Sequence, residues 1–321
     1  MIAIESIDTR SYCLTMDIVK YDEFKSLASL MQDIAILVLT YNQESILSEC
    51  LDSILSQEIK GKTMRIFVID DASTDGTPKL ISKYEARYPD IIFPILYKSN
   101  QYQGGSAPEF PLIFNLEAEY LAFCDGDDFW MDKGKLEKQI AIFENDPTVA
   151  IVHTDYYFGK TSKTQKILEP RTEKAQSKAR GVRTGKDMVP GNEIKKSTAL
   201  FRLKCIEKSF LRNCHGIRAQ DWLVAVSAAL NGEIAYINEP TTFYRVSEKA
   251  SFQSLDQNDR NLVKDEVRWT CAAKLPAGDL RNEFRKYLVY EYIRLSLRKI
   301  AIYKYISPYV QFFRKIRSHL H

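Results

Sequence analysis

Three carboxylates crowd into four residues at Asp125-Gly126-Asp127-Asp128, after the apolar run Tyr120-Leu121-Ala122-Phe123-Cys124 and before Phe129-Trp130. Asp125 and Asp127 make an Asp-x-Asp whose hard oxygen ligands suit Mg²⁺ or Mn²⁺. Such ions keep several waters and complete their octahedra with substrate phosphate oxygens. The same tetrapeptide also suits a solvated turn, so the run before it matters. That run is too short for a helix and is bounded by Asp and Gly. It reads as a buried strand delivering carboxylates to the crevice where open α/β sheets bind ligands. Gly126 is expected to let the backbone turn tightly enough for the carboxylates to converge.

Two earlier strands end in polar turns of the same kind. Ile34–Leu39 runs into Thr40-Tyr41-Asn42-Gln43-Glu44, and Met64–Ile69 into Asp70-Asp71-Ala72-Ser73-Thr74-Asp75-Gly76-Thr77-Pro78. A helix is predicted after each. Ile46, Leu47, Leu51, Ile54 and Leu55 mark the first, with Asn42 or Ser45 to cap it. Thr77 as N-cap and Pro78 at the first helical position open the second. A third strand at Ile91–Tyr97, a loop with the pair Gly104-Gly105, and a short helix at Phe110–Glu119 lead to the acidic strand. A helix at Lys135–Asn145 and a strand at Val149–Thr154 follow. This alternation makes βαβ units, hence a mainly parallel sheet flanked by helices.

Residues 159–195 are polar and rich in Lys and Arg, and read as a long loop. A helix is expected near Lys204–Leu211. Gln220-Asp221-Trp222 opens another, with Leu223, Val226 and Leu230 on one face and Asn231-Gly232 closing it. An acid in a first turn complements the helix dipole, which by itself makes Asp221 structural. Short strands are predicted at Ile234–Ile237 and Thr242–Val246. Beyond about 255 the pattern is helical, with Leu280, Phe284, Leu288, Tyr292 and Leu295 as an apolar stripe. From Lys274 onward 11 Lys and Arg face three acids, Asp279, Glu283 and Glu291. Two readings stand: a helical cap with a solvated basic face, or an amphipathic anchor on anionic lipid using Tyr303, Tyr305, Tyr309, Phe312 and Phe313.

A chain of 321 residues with 45% hydrophobic and 27% charged residues can bury a substantial core without staples. Its net charge of +3 gives no argument for nucleic acid. The six cysteines, without paired short spacing, read as reduced thiols in a cytoplasmic protein. Neither a leader nor an apolar membrane span is evident. His153 and His215 lack ligand spacing and read as structural.

Taken together, the turns at Thr40–Glu44, Asp70–Thr77 and Asp125–Trp130 resemble those of the inverting family 2 glycosyltransferases with the GT-A fold. Gln220-Asp221 is similar to that family's Glu-Asp, and Tyr244-Arg245-Val246 to its closing Tyr-Arg-x-His. Here Gln replaces Glu, and Ser247 stands at the His position. The resemblance spans about 34–247. It divides the chain into an N-terminal extension (1–33), a transferase domain (34–250, donor half 34–130, acceptor half 131–250) and a basic helical region (251–321).

The resemblance implies transfer of a sugar from a nucleoside diphosphate, UDP by expectation, to a saccharide or lipid-linked hydroxyl in cell-surface glycan synthesis. Asp127 would ligate Mn²⁺ or Mg²⁺, with Asp125 on the ion or the ribose. Thr40, Tyr41 and Glu44 would line the nucleoside pocket, with Asp70 or Asp71 on the base. Asp221 would be the general base, and Trp222 would wall the acceptor site or belong to the core. The basic segment 159–195 would receive an acidic acceptor. Residues 274–321 would contact the cytoplasmic membrane face or a second copy of the chain. A nucleotidyltransferase and a non-catalytic glycan- or membrane-binding scaffold are the alternatives.

Overall fold

The structure, a computed structural model, describes residues 32–103, 106–160, 168–214, 216–217, 219–246 and 256–299. The extension up to residue 31, Cys13 within it, Gly104, Gly105, His215, Ser247 and the aromatic residues from Tyr303 onward lie outside these.

In chain order the first half comprises β1 (Gln32–Thr40), α1 (Leu47–Leu55), β2 (Met64–Asp70), α2 (Thr77–Arg87), β3 (Ile92–Leu96), α3 (Phe110–Asn115), β4 (Ala118–Asp125), β5 (Phe129–Trp130) and α4 (Lys135–Asn145). The second half comprises β6 (Val149–Gly159), β7 (Glu169–Pro170), α5 (Glu173–Arg180), β8 (Leu200–Arg202), α6 (Lys208–Arg212), α7 (Gln220–Ala228), β9 (Glu233–Arg245), α8 (Gln257–Lys274) and α9 (Asp279–Lys299).

The strands form one sheet in the order β3-β2-β1-β4-β8-β6-β9-β5, with β7 paired to β6. Its first four strands are mutually parallel, and β6 and β9 run in the same direction as these four. β8 enters antiparallel between β4 and β6, β9 returns parallel to β6, and β5 closes antiparallel on β9. The sheet is therefore mainly parallel, as the βαβ alternation implies, with β8 and β5 reversed. Leu200-Phe201-Arg202 is too short to show a period, and the two strands expected at 234–237 and 242–246 are one irregular strand, β9.

The strands read as continuous apolar runs because both faces are covered. On β1, Ile34, Ile36 and Val38 enter one cluster and Ala35 and Leu37 the other. The same alternation divides Ile66 and Val68 from Phe67 and Ile69 on β2, and Tyr120, Ala122 and Cys124 from Leu121 and Phe123 on β4. Every second residue thus anchors the sheet to an opposite layer, which fixes its register. Cys50, Cys124, Cys205, Cys214 and Cys271 are all buried and unbridged.

Helix ends differ from expectation in instructive ways. Ile46 and Gly76 occupy the N-cap positions of α1 and α2, without side-chain caps. Thr77 lies inside α2, and its hydroxyl accepts the Gln43 N–H at 2.9 Å. α3 stops at Asn115, because Leu116 is already extended and Ala118 starts β4. Ala229, rather than Asn231-Gly232, is the C-cap residue of α7. Residues 168–195 are not one polar loop. They hold α5 and bury Ala179, Val182, Met188, Val189 and Ile194, of which the last four enter one core cluster from a short 3-10 turn and irregular chain and therefore show no single period.

α8 and α9 belong to the same core as the sheet, through Val267, Cys271, Leu280, Phe284 and Leu288. The stripe then leaves the core: Leu280, Phe284 and Leu288 are buried, whereas Tyr292 is 74% exposed. A four-residue step overshoots the 3.6-residue turn by about 40°, so three steps rotate the stripe by about 120°. Phe284→Ala should cost about 3–5 kcal/mol in urea unfolding. Tyr292→Ala should change stability by no more than about 0.5 kcal/mol.

Candidate active site

The acidic turn sits at the carboxyl end of β4 beside that of β1. The Gly126 N–H donates to the Leu39 carbonyl at 2.8 Å. A Cβ on Gly126 would lie 2.3 Å from Gln43 Oε1 and 3.1 Å from the Leu39 oxygen. Glycine is required here for this close approach. A positive φ is not the reason, since Gly126 is not among the left-handed residues.

The three acids have different tasks. Asp128 is 1% exposed and accepts from the Ser197 hydroxyl (2.6 Å) and the Arg245 N–H (3.0 Å). Burial, then Asp127 and Asp125, push its carboxyl well above the usual range. Arg245 also donates from Nε to the Asp127 carbonyl (2.7 Å) and from Nη2 to Glu49 (2.8 Å), tying the end of β9 to the turn and to α1. Asp128 therefore holds the turn, which leaves Asp125 and Asp127 for a ligand. Burial and the neighbouring Asp125 push Asp127 up to about 6.

Asp125 Oδ1 lies 3.0 Å from Lys196 Nζ, and Glu109 lies 3.7 Å from the same ammonium. Burial alone would favour loss of the Lys196 proton, but Asp125 and Glu109 outweigh it and hold the ammonium charged. Asp221 is in the first turn of α7, where Oδ2 accepts from Asn192 Nδ2 at 3.1 Å. A cavity of about 620 Å³ brings Asp125, Glu109, Asn192, Lys196, Asp221 and Trp222 onto one set of walls. Trp222 is 2% exposed and lines this cavity.

The other candidates form a second, knitted group. Asn42 donates its N–H to Ser73 Oγ and accepts the Thr74 N–H, each at 2.8 Å. The Glu44 N–H donates to Asp75 (3.2 Å), and the Glu44 carboxylate accepts the Gly76 N–H (3.1 Å). Asp70 is buried and accepts from the Ser73 N–H and hydroxyl, while Asp71 accepts from the N–H groups of Gln101 (2.6 Å) and Tyr102 (3.1 Å). Burial is the main cause raising both carboxyls. Tyr41 is exposed, and Thr40 is buried with a hydroxyl that has no partner among the described residues.

Among the described residues, the non-glycine residues with left-handed backbone are Asn42, Ala72 and Ala219. All three border candidate residues, and two are alanines, for which this conformation costs about 1–2 kcal/mol. Strain of this kind persists only where the surroundings over-determine it.

Lys195, Lys196, Ser197, Asn192, Glu109 and Glu49 escaped the sequence reading. Asn192 and Lys195 fall where the basic segment looked irregular, Lys196 and Ser197 come directly after it, and nothing local distinguishes Glu109. Tyr244-Arg245 did carry a signal, and Arg245 is now seen to act on the acidic turn. His153 is buried, with burial and then Arg171 lowering it to about 3. It lies in the core, as expected for a structural histidine.

No group of three or more His, Cys, Asp or Glu among the described residues could hold a metal ion. Asp125 and Asp127 still fit a divalent cation, because Mg²⁺-type ions are held by one or two carboxylates with substrate phosphates supplying further ligands. The raised Asp127 carboxyl reflects burial first and the neighbouring Asp125 second, both of which a cation would offset.

A family model, Glycosyl transferase family 2, matches residues 35–197, and the chain belongs to that family. An uncharacterised protein of Mycobacterium tuberculosis is 30% identical over 215 residues, covering 66% of this chain and 58% of that protein. The chain thus spans little more than half the length of this relative. The dTDP-rhamnosyl transferase RfbG of Shigella flexneri is 36% identical over 110 residues, covering 33% of this chain and 37% of that protein. Staphylococcus aureus TarS 1-349 in complex with UDP-GlcNAc aligns with TM-score 0.57 at 18% identity, over 76% of this chain and 68% of that one. Mannosyltransferase PcManGT from Pyrobaculum calidifontis, in complex with GDP-Man and Mn²⁺, aligns with TM-score 0.57 at 18% identity, over 82% and 70%. The fold is GT-A.

Separate tasks for adjacent acids make a stability prediction. Asp128→Ala leaves two buried donors without an acceptor and should lower unfolding free energy by about 2–3 kcal/mol. Asp127→Asn removes a repelled carboxylate and should leave stability unchanged or slightly raised. Urea denaturation of both variants checks this.

Proposed function

We propose that the chain transfers a sugar, with inversion, from a nucleoside-diphosphate donor to an acceptor hydroxyl, with Asp221 as general base. The observation that carries this reading is the shared cavity, in which Asp125 of the β4 turn and Asp221 of α7 lie on the same walls. In-line displacement needs a base on one side of the anomeric carbon and a stabilised leaving group on the other. Asn192 fixes one oxygen of Asp221, and the other has no hydrogen bond among the described residues. That oxygen takes the acceptor proton as the new bond forms.

On the donor side, Asp127 and Asp125 would hold Mn²⁺ or Mg²⁺. When bound, the ion offsets negative charge growing on the diphosphate. Lys196 orients Asp125 and adds fixed positive charge nearby. Thr40 and Tyr41 line the nucleoside site. Asp70 or Asp71 receives the base N–H, and Glu44 shapes the site by holding Gly76. The UDP preference draws support from the fold neighbour complexed with UDP-GlcNAc. The GDP-Man complex makes guanosine the alternative base.

The acceptor is a saccharide or lipid-linked hydroxyl of a surface glycan, and the basic residues of 159–195 would draw it in if it is acidic. Among the described residues no helix is long and apolar enough to cross a membrane. The proposed membrane or subunit contact uses 274–321, where Val289, Tyr292 and Ile293 are exposed.

Calorimetric titration with UDP, GDP and dTDP, with and without Mn²⁺, tests the donor site. Metal-dependent binding should drop at least about tenfold in Asp127→Ala. Asp221→Asn should bind donor as the parent does while turnover falls by about 10²-fold or more. Full turnover in either variant would refute the mechanism.

A further inference from the structure

Glu109 and Trp222 present an imbalance that the proposed mechanism leaves unused. Glu109, the N-cap residue of α3, is 1% exposed and lines the cavity. Lys196 lies 3.7 Å from one of its oxygens, beyond hydrogen-bond distance and farther than the 3.0 Å from Lys196 to Asp125. The other oxygen, Oε2, is buried with no hydrogen-bond partner among the described residues. Trp222 lines the same cavity, is 2% exposed, and its Nε1–H is likewise buried without a partner.

A buried acceptor and a buried donor left unpaired are each costly, and native proteins rarely leave them so without a ligand or water to satisfy them. Here the two have opposite hydrogen-bonding character and line one cavity. A hydroxyl group both donates and accepts, so a pair of neighbouring sugar hydroxyls would satisfy both groups together.

We propose that Glu109 and Trp222 read hydroxyl groups of the transferred sugar and determine which donor sugar the enzyme accepts. This deepens the donor-site reading above and rests on it. The sugar ring must lie between the diphosphate, at Asp125, and the base, Asp221. Glu109 shares Lys196 with Asp125 and the cavity with Asp221, and Trp222 follows Asp221 directly. Both therefore border the ring rather than the nucleoside. A carboxylate built to receive a hydroxyl proton discriminates strongly against an epimer that points that hydroxyl elsewhere, because it is then left unpaired.

The test is calorimetric, in Mn²⁺, with UDP, GDP, UDP-glucose, UDP-galactose, UDP-N-acetylglucosamine and GDP-mannose as probes. In the parent protein, one sugar nucleotide should bind more tightly than its own bare diphosphate. Glu109→Gln, which keeps the shape, and Trp222→Phe, which removes only the N–H and one ring, should each erase about tenfold of that gain. Both should leave the bare diphosphate within about twofold and narrow the preference between epimers.

Three results would overturn the proposal: no loss in either variant, equal weakening of diphosphate and sugar nucleotide, or no gain from any sugar in the parent protein. Equal weakening would instead make Glu109 a positioning residue for Lys196 and Asp125. Failure of the parent protein to bind any nucleoside diphosphate would be a different outcome, removing the donor site itself. Urea midpoints check that both variants fold. If one does not, the other carries the same comparison.

Discussion

Three carboxylates within four residues repel one another, and much of the site is organised around containing that repulsion. Asp128 is turned inward and given two donors, the Ser197 hydroxyl and the Arg245 N–H. Asp125 faces Lys196. Arg245 spends its guanidinium on the backbone of the turn and on Glu49, so the turn is held without the Asp127 carboxylate being neutralised. Lys196-Ser197 and Arg245 come from segments far apart in the chain, and both reach the turn only because β8 and β9 are inserted into the sheet beyond β4.

The ends of β1 and β2 are built by a different means. The loops after β1 and β2 exchange backbone and side-chain hydrogen bonds from Asn42 to Thr77, and Asp71 draws in the backbone of Gln101 and Tyr102. Several polar side chains are thereby used to shape loops, while Thr40 and Tyr41 are left to face outward or unpaired. Left-handed alanines at 72 and 219 fit this picture. Local conformational cost is borne where loops must be placed accurately, and the surrounding bonds enforce it.

The C-terminal helices complete the layer that carries α7. Val267, Cys271 and Phe284 share a core with Leu223 and Val226 of α7, so the helix bearing Asp221 is backed by residues distant in sequence. The drift of the apolar stripe out of that core toward Tyr292 leaves an exposed apolar face on α9. From Lys274 onward the chain that carries this face has 11 Lys and Arg against three acids.

The sequence by itself determined the elements whose signal is local. Buried strands β1, β2, β3 and β4 announce themselves as apolar runs, because both faces must be covered. The acids at their ends stand out because polar residues interrupt those runs abruptly. It also singled out Asp125, Asp127 and Asp221 as candidates, though not that the first and last share a cavity. What only the tertiary structure decided is the division of labour within the acidic turn, since Asp127 and Asp128 are chemically identical and differ only in which way they point. The same holds for Lys196, Asn192, Glu109 and the short strand β8. Three residues carry no period, and a lone Lys or Glu carries no signature until long-range packing sets a partner beside it.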